Sequence, residues 1–324
     1  MKELTIGRND AGQRLDRFVS KAAPLIPESL LQKTLRKKDI KINGRPAKGE
    51  TRLAEGDTVR VYLPDEFFEA PREENAWRKI TAPRLDIVYE DENILLVDKK
   101  PGVLCHSAGE WSWNTLIANI QAYLRAKGEW DPARENSFAP ALCNRIDRNT
   151  GGIVIAAKNA EALRILNQKI KDREIDKRYL CIVHGTPKPP EGRLEGYLFK
   201  DAKNNQVYVY DAPRTGAKTA VTEYKTIASD GRLTLVECRL ITGRTHQIRA
   251  QFSSRGLPLC GDAKYGAAAP GPLGLWSYRI AFCHPQTGRP LQFSHLPPAE
   301  DPWLPFQTAL SQLQGGPHGQ NERT

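Results

Sequence analysis

The sequence predicts an α+β protein: a central mixed, largely antiparallel sheet with a few helices, preceded by a small α/β domain. Three observations lead there. From residue 80 onward, apolar strand runs are joined by hairpin turns, with few strand–helix–strand crossovers. The first 64 residues have a charge balance of their own, 14 Lys and Arg against 8 Asp and Glu, a net +6. Between these regions Asp65 to Lys79 is acidic and proline-flanked, and reads as a linker with little regular structure. The expected boundaries are 1–64 for the small domain, 65–82 for the linker, 83–312 for the main domain and 313–324 for a flexible tail.

Each element follows from local pattern. Pro27 opens a helix whose Leu30, Leu31 and Leu35 share one side, while Lys33, Arg36 and Lys37 share the other. Ile40 to Ile42 and Thr58 to Tyr62 alternate as short strands, with Asn43-Gly44 as a tight turn after the first. In the main domain, Ile87 to Tyr89 and Ile94 to Val97 form a hairpin around Asp91-Glu92-Asn93. Helices are expected at Thr115 to Ala126 and Asn159 to Arg173, the second with Leu163, Leu166 and Ile170 on one face. Buried strands are read at Leu142 to Ile146, Ile153 to Ala157, Tyr179 to Val183, Ala220 to Tyr224, Leu233 to Leu240 and Tyr278 to Cys283.

Composition narrows the function. With 40% hydrophobic residues and 25 glycines in 324 residues, the chain can bury a substantial core. The net charge of +10 points to a polyanionic partner. No apolar run is long enough to span a bilayer, and Met1 to Ser20 lacks a signal-peptide pattern. The six cysteines are scattered, with no Cys-x-x-Cys pair, which fits a reducing cytoplasm. No histidine or cysteine grouping has metal-ligand spacing, so neither metal nor cofactor is expected. Gly216-Ala217-Lys218-Thr219 has the end of a phosphate-loop pattern, but Asp211 stands where its first glycine belongs.

The stretch Asn144-Arg145-Ile146-Asp147-Arg148-Asn149-Thr150-Gly151-Gly152 carries the chemistry. It sets one carboxylate at the end of an apolar strand, between two arginines, before a flexible Gly-Gly. Nearby cations keep a carboxylate ionised, as a nucleophile requires. On its residues alone, a structural aspartate in a turn is the commoner reading.

The stretch resembles the His-Arg-Leu-Asp-x-x-Thr-Ser-Gly motif of the RluA-type pseudouridine synthases, including the branch that modifies large-subunit ribosomal RNA. Further blocks match in order: Lys100-Pro101-Gly102, Lys177-Arg178-Tyr179-Leu180, Leu240 to Arg249 (Leu-Ile-Thr-Gly-Arg-Thr-His-Gln-Ile-Arg), and Gly261-Asp262-Ala263-Lys264-Tyr265-Gly266. The likeness covers about residues 85 to 298. Residues 13 to 62, with Arg14-Leu15-Asp16-Arg17-Phe18 and Lys41-Ile42-Asn43-Gly44-Arg45, are similar to the S-four-type RNA-binding fold. Two positions depart from the pattern: Asn144 replaces the usual His and Gly151 the usual Ser.

The resemblance implies a pseudouridine-synthase fold that isomerises uridine in RNA, most simply large-subunit (23S) ribosomal RNA or its precursor. It implies Asp147 as nucleophile, Arg249 pairing with it, and Tyr179 stacking on the uracil. Arg145 would fill the gap left by the flipped base, and Asn144 would lie beside it. Arg249 is expected in a helix beginning near Thr245, with Ile248 and Phe252 inward. Lys33, Arg36, Lys37, Lys41 and Arg45 would contact phosphates. A monomer in the cytoplasm is expected. Alternatives are a tRNA-directed synthase, a non-catalytic RNA-binding or ribosome-assembly factor, and a nucleoside hydrolase, which would need a second carboxylate to activate water.

Overall fold

Two separate sheets organise the chain. The computed structural model describes residues 1–69, 72–107, 112–266 and 271–314. The first sheet is built from β1 (Lys2–Thr5), followed by helices α1 (Leu15–Ala22) and α2 (Glu28–Arg36), then β2 (Ile40–Ile42), β3 (Arg45–Pro46) and β4 (Thr58–Val61), in the order β1-β4-β2-β3. Phe18, Val19, Leu31, Val59 and Val61 form its core. Asn43 and Gly44 turn between β2 and β3 at φ 50° and 79°, the paired positive values of a tight hairpin. The Asn43 Oδ1 accepts from the Thr58 amide at 2.9 Å and so ties the turn to β4. On α2, Leu31 is buried while Lys33, Arg36 and Lys37 are exposed, as the periodicity requires.

The segment after this domain is more regular than its composition suggests. A short 3-10 turn spans Asp65–Phe68, and a longer 3-10 segment spans Arg72–Lys79. Phe67 and Phe68 pack on the small core, and Trp77 meets Trp130 of the main domain edge-on at 5.5 Å. Aromatic residues among the acids fold these turns back onto both domains.

The main domain runs through β5 (Asp86–Glu90), β6 (Ile94–Lys99), α3 (Leu116–Ala126), β7 (Ala141–Leu142), β8 (Gly151–Ala157), α4 (Ala160–Lys171) and β9 (Asp176–His184). It continues through β10 (Glu191–Asp201), β11 (Gln206–Tyr210), β12 (Lys218–Ser229), β13 (Leu233–Leu240), α5 (Gln247–Ser253), β14 (Leu275–Cys283), β15 (Pro290–Ser294) and α6 (Gln307–Gln314). Its eleven strands form one sheet, β11-β10-β12-β13-β9-β14-β8-β6-β5, with β15 on β14 and β7 on β8. Among the described strands only β14 and β8 run parallel; the rest are antiparallel. The sheet is therefore mixed and largely antiparallel, as expected. Thr115 and Asn159 cap α3 and α4 by accepting from the amides of Ala118 and Ala162.

Three local readings need correction. The strand expected over Leu142 to Ile146 ends at Leu142, because the Asn144 side chain takes over the ladder: its Oδ1 accepts from the Ile155 amide at 2.8 Å. The helix expected from Thr245 starts at Gln247, since His246 before it has left-handed backbone at φ 52°. Leu313 and Gln314, expected in a flexible tail, instead close α6, with Leu313 packed on the core; the rest of that expected tail, residues 315–324, lies outside the described residues.

The two domains touch through polar groups. Asp10, 1% exposed, accepts from Ser137 Oγ at 2.5 Å and Asn136 Nδ2 at 2.8 Å. Asn9 donates to Glu135, and its Oδ1 accepts from the first amide of α4, that of Ala160, at 3.0 Å.

Candidate active site

A cleft of about 580 Å³ opens where β8, β9 and α5 converge. Its walls are the loop 143–150, the end of α4, the first half of β9 and the segment from Leu240 to Arg249. The loop ahead of β8 is pinned from below. Lys99, 1% exposed at the end of β6, donates from Nζ to the carbonyls of Lys100, Val103 and Arg148 at 2.9–3.0 Å. Gly102 N–H also donates to the Arg148 carbonyl, and Cys105 Sγ to that of Ile146. Burial pushes the Lys99 ammonium down to about 8, with Cys105, Asp147 and Asp98 opposing.

The Gly151-Gly152 pair lets this loop enter the sheet beside β14. A Cβ on Gly151 would lie 2.1 Å from the Trp276 ring, and one on Gly152, at φ +108°, would lie 2.2 Å from the Ser277 carbonyl. Trp276, 2% exposed, therefore occupies the space that a serine at position 151 would need. That accounts physically for one departure from the expected motif. Asn144, the other, uses its Oδ1 in the strand contact described above.

Asp147 lies between α5 and β9, with its side chain 24% exposed. Arg249 Nη1 donates to Asp147 Oδ2 at 2.9 Å. The same guanidinium is gripped from its other edge by Asp262, with Nε to Oδ2 at 2.7 Å and Nη2 to Oδ1 at 2.8 Å. Asp262 is 1% exposed. Arg249 thus bridges two carboxylates, and the fork geometry fixes its direction. Burial opposes the Arg249 charge, but the Asp262 contact and then Asp147 outweigh it and raise its pKa.

His246 faces the same Asp147 oxygen, Nε2 to Oδ2 at 3.8 Å. Its Nδ1 lies 2.8 Å from the Tyr265 hydroxyl, which accepts from the Val207 amide at 3.0 Å. The hydroxyl hydrogen is then directed at Nδ1, which leaves the ring hydrogen on Nε2, toward Asp147. Burial, with Arg249 and Lys264 adding, lowers the His246 pKa against the pull of Asp147. Among the described residues Asp147 Oδ1 has no hydrogen-bond partner, and Asp147 lines the cleft.

Tyr179, 6% exposed, rises from β9 beside this carboxylate. Burial pushes its phenol up to about 12, with Ser277 opposing. A phenol in that range stays protonated at neutral pH, so the ring offers a flat apolar wall rather than a base. Arg145 and Asn144 also line the cleft.

Asp147, Arg249, Tyr179, Arg145 and Asn144 thus come together at one cleft. Lys33, Arg36, Lys37, Lys41 and Arg45 stand apart on the small domain, where no carboxylate pairs with them among the described residues; Lys41 lies 5.9 Å over the Tyr62 ring. Sequence reasoning gave no role to Asp262, His246 or Lys99. The first two stood inside matched blocks, where a Gly-Asp dipeptide and a histidine three residues before Arg249 were the available signals. Asp262 is a second carboxylate within the matched blocks. Both its oxygens are bound by Arg249 in a dry site, which leaves it unable to activate water as a hydrolase would require.

Comparison with known proteins agrees with this site. Residues 93–254 match the RNA pseudouridylate synthase family. The chain is 31% identical to ribosomal large subunit pseudouridine synthase C of Vibrio vulnificus, over 90% of this chain and 91% of that one. It is 30% identical to an RNA pseudouridine synthase of Bacillus subtilis, over 90% and 92%, and to the synthase C of Escherichia coli, over 89% and 90%. Among solved structures, human RNA pseudouridylate synthase domain containing 4 superposes with a TM-score of 0.54 at 19% identity, covering 75% of this chain and 97% of that one. A cleft with one cation-held aspartate, a fold shared with solved synthases and full-length kinship to enzymes of this kind lead to one conclusion: the chain belongs to the RNA pseudouridylate synthase family, and is an enzyme that isomerises uridine in RNA.

Proposed function

We propose that the protein converts one or more uridines of large-subunit ribosomal RNA, or its precursor, to pseudouridine, with Asp147 as nucleophile. One observation carries the assignment: Arg249 holds Oδ2 of the cleft's exposed carboxylate and leaves Oδ1 to the substrate. In the reaction the bond from ribose C1′ to uracil N1 breaks, the base turns, and a bond from C1′ to C5 forms. The C5 proton leaves and N1 gains one. Asp147 supplies the attacking oxygen, Arg249 keeps it charged and aimed, and Tyr179 stacks on the extruded base. Arg145 fills the vacated place in the RNA, a planar cation replacing a stacked base. Asn144 contributes its remaining amide hydrogens at the cleft wall.

The small domain, residues 1–64, is in this reading an S-four-type RNA-binding module, joined by 65–82 to a catalytic domain of 83–312. Lys33, Arg36, Lys37, Lys41 and Arg45 are its phosphate contacts. Ribosomal RNA is favoured over tRNA because the relatives named for the large subunit match this chain along nine-tenths of their length. The enzyme acts as a monomer in the cytoplasm, where its RNA is. A non-catalytic assembly factor is disfavoured, since Asp147 and Arg249 are hydrogen-bonded to each other and Tyr179 lines the same cleft. Mapping pseudouridines in total RNA from cells with and without the gene tests the proposal. The expected result is loss of one or a few sites in large-subunit RNA; loss confined to tRNA would redirect it, and no loss would overturn it.

A further inference from the structure

The cleft wall carries more positive charge than the chemistry described so far uses. Arg145, Lys171, Arg173, Lys177, Arg244 and Arg249 line it, against Asp147 as the one carboxylate. Arg249 is already neutralised by Asp262. Lys177 is different from the others on the wall. It is half-buried at the cleft wall, and its ammonium has no hydrogen-bond or ion-pair partner among the described residues. The nearest carboxylate in sequence, Asp176, points to the other face of β9, where it binds Arg178 and Arg239. Gly243 adjoins it: a Cβ there would sit 3.7 Å from the Lys177 Nζ, an ordinary contact distance, which places the ammonium beside the Leu240–Arg249 wall of the cleft. Burial lowers the Lys177 pKa and no protein anion offsets it. A desolvated cation without a counterion costs folding free energy, and such a group is retained where an outside anion completes it.

Lys177 and Tyr179 are two apart on one strand, so both side chains stand on the same face of β9 with Cα atoms about 7 Å apart. That is the reach between a nucleotide's base and its own backbone phosphate. We infer that Lys177 is the phosphate anchor of the cleft, taking the RNA backbone phosphate next to the extruded uridine while Tyr179 takes the base. The inference rests on the proposed action on uridine in ribosomal RNA. It adds a binding residue that holds the flipped nucleotide in its out-of-stack position, where ordinary phosphate contacts on the small domain hold only the neighbouring helix.

The test is turnover of an unmodified large-subunit rRNA transcript over a range of salt, for wild type, Lys177→Gln and Lys177→Arg. In Lys177→Gln, KM should rise about tenfold with kcat within about threefold, because the contact is made before and during reaction alike. The slope of log kcat/KM against log salt should become shallower by about 0.7–0.9, the value of one phosphate contact. Lys177→Arg should restore the slope. An unchanged slope in Lys177→Gln, with only stability or kcat reduced, would make Lys177 a structural residue and overturn the inference. If Lys177→Gln does not fold, the wild type decides: a synthetic stem-loop with a methylphosphonate on either side of the target uridine should show the same shallower slope. No effect at either position would overturn it. Wild-type protein that leaves the transcript unmodified would instead break the proposed function, and this anchor with it.

Discussion

Two basic regions of this molecule treat their cations in opposite ways. On the small domain, Lys33, Arg36 and Lys37 stand exposed on one face of α2 without carboxylate partners. In the cleft, Arg249 is 11% exposed and bound on both edges by Asp147 and Asp262. The first arrangement supplies long-range attraction for a polyanion and tolerates many geometries. The second spends its charge inside the protein, so it contributes little attraction but fixes one oxygen to within a hydrogen bond. Long-range attraction and aim are thus assigned to different cations. Mutations should therefore affect either turnover or binding, seldom both.

The sharpest break is Asp147→Asn. The amide keeps the shape and removes the nucleophile, so pseudouridine formation should fall to background while RNA affinity and melting temperature stay near wild type. Residual turnover in protein purified free of wild type would sink the proposed mechanism.

Next come the two partners of that carboxylate. Arg249→Met should lower kcat by about 10²–10³-fold, the usual cost of losing one aimed donor. Arg249→Lys should retain more, since charge survives without the fork. Asp262→Asn acts one step further out: it loosens Arg249 without touching substrate, and a loss of about 10–100-fold in kcat with KM unchanged is expected. An Asp262→Asn enzyme at full speed would show that Arg249 is aimed by Asp147 alone.

How much of this was readable beforehand differs between the same two regions. The basic face of α2 was legible because exposed charge at helical spacing needs no tertiary knowledge. Asp147, Arg249 and Tyr179 were found because ordered motif blocks marked them, and not through spacing: they are joined across three elements that are distant in sequence. Asp262 escaped because a carboxylate's role depends on which cation it meets, and that partner is set by how the loop after α5 folds back. Lys99 escaped because a lysine ending a strand reads as solvent-facing. Only the carbonyls converging from Lys100, Val103 and Arg148 show why it is buried. The fold class followed from hairpin-rich strand runs. Strand β10 was missed because charged residues at alternate positions broke the apolar signal, as in Glu191-Gly192-Arg193-Leu194-Glu195.

Smaller effects are expected on the binding side. Replacing Lys33, Arg36 and Lys37 together by Gln should weaken RNA binding by about tenfold at moderate salt, and make its salt dependence shallower by up to about two phosphate contacts. The kcat at saturating RNA should stay constant. Equilibrium binding of the rRNA transcript at several salt concentrations reads both. An unchanged slope would mean that the small domain is not the RNA module, and that the cleft alone carries affinity.

The smallest effect concerns the buried Lys99 beneath the catalytic loop. Its pKa of about 8 in the folded protein lies below the ordinary lysine value of 10.5, so between those limits the unfolded chain binds more protons than the folded one. Stability linked to this group therefore rises with pH from about 8 to 10.5, and is lost as pH falls through 8. The full span is worth about 3 kcal/mol, or about 1.4 kcal/mol per pH unit inside the window. In Lys99→Met that contribution vanishes. Tyrosines with raised pKa values act in the opposite direction at higher pH, but they are common to both proteins and cancel in the difference. Urea unfolding at pH 7, 8, 9 and 10 should thus show wild type gaining on Lys99→Met as pH rises above 8, with a nearly constant difference below it. A difference that stays flat up to pH 10 would mean that the ammonium under the Asp147 loop is stabilised by its three carbonyls as fully as water would stabilise it. The loop would then be held at no electrostatic cost.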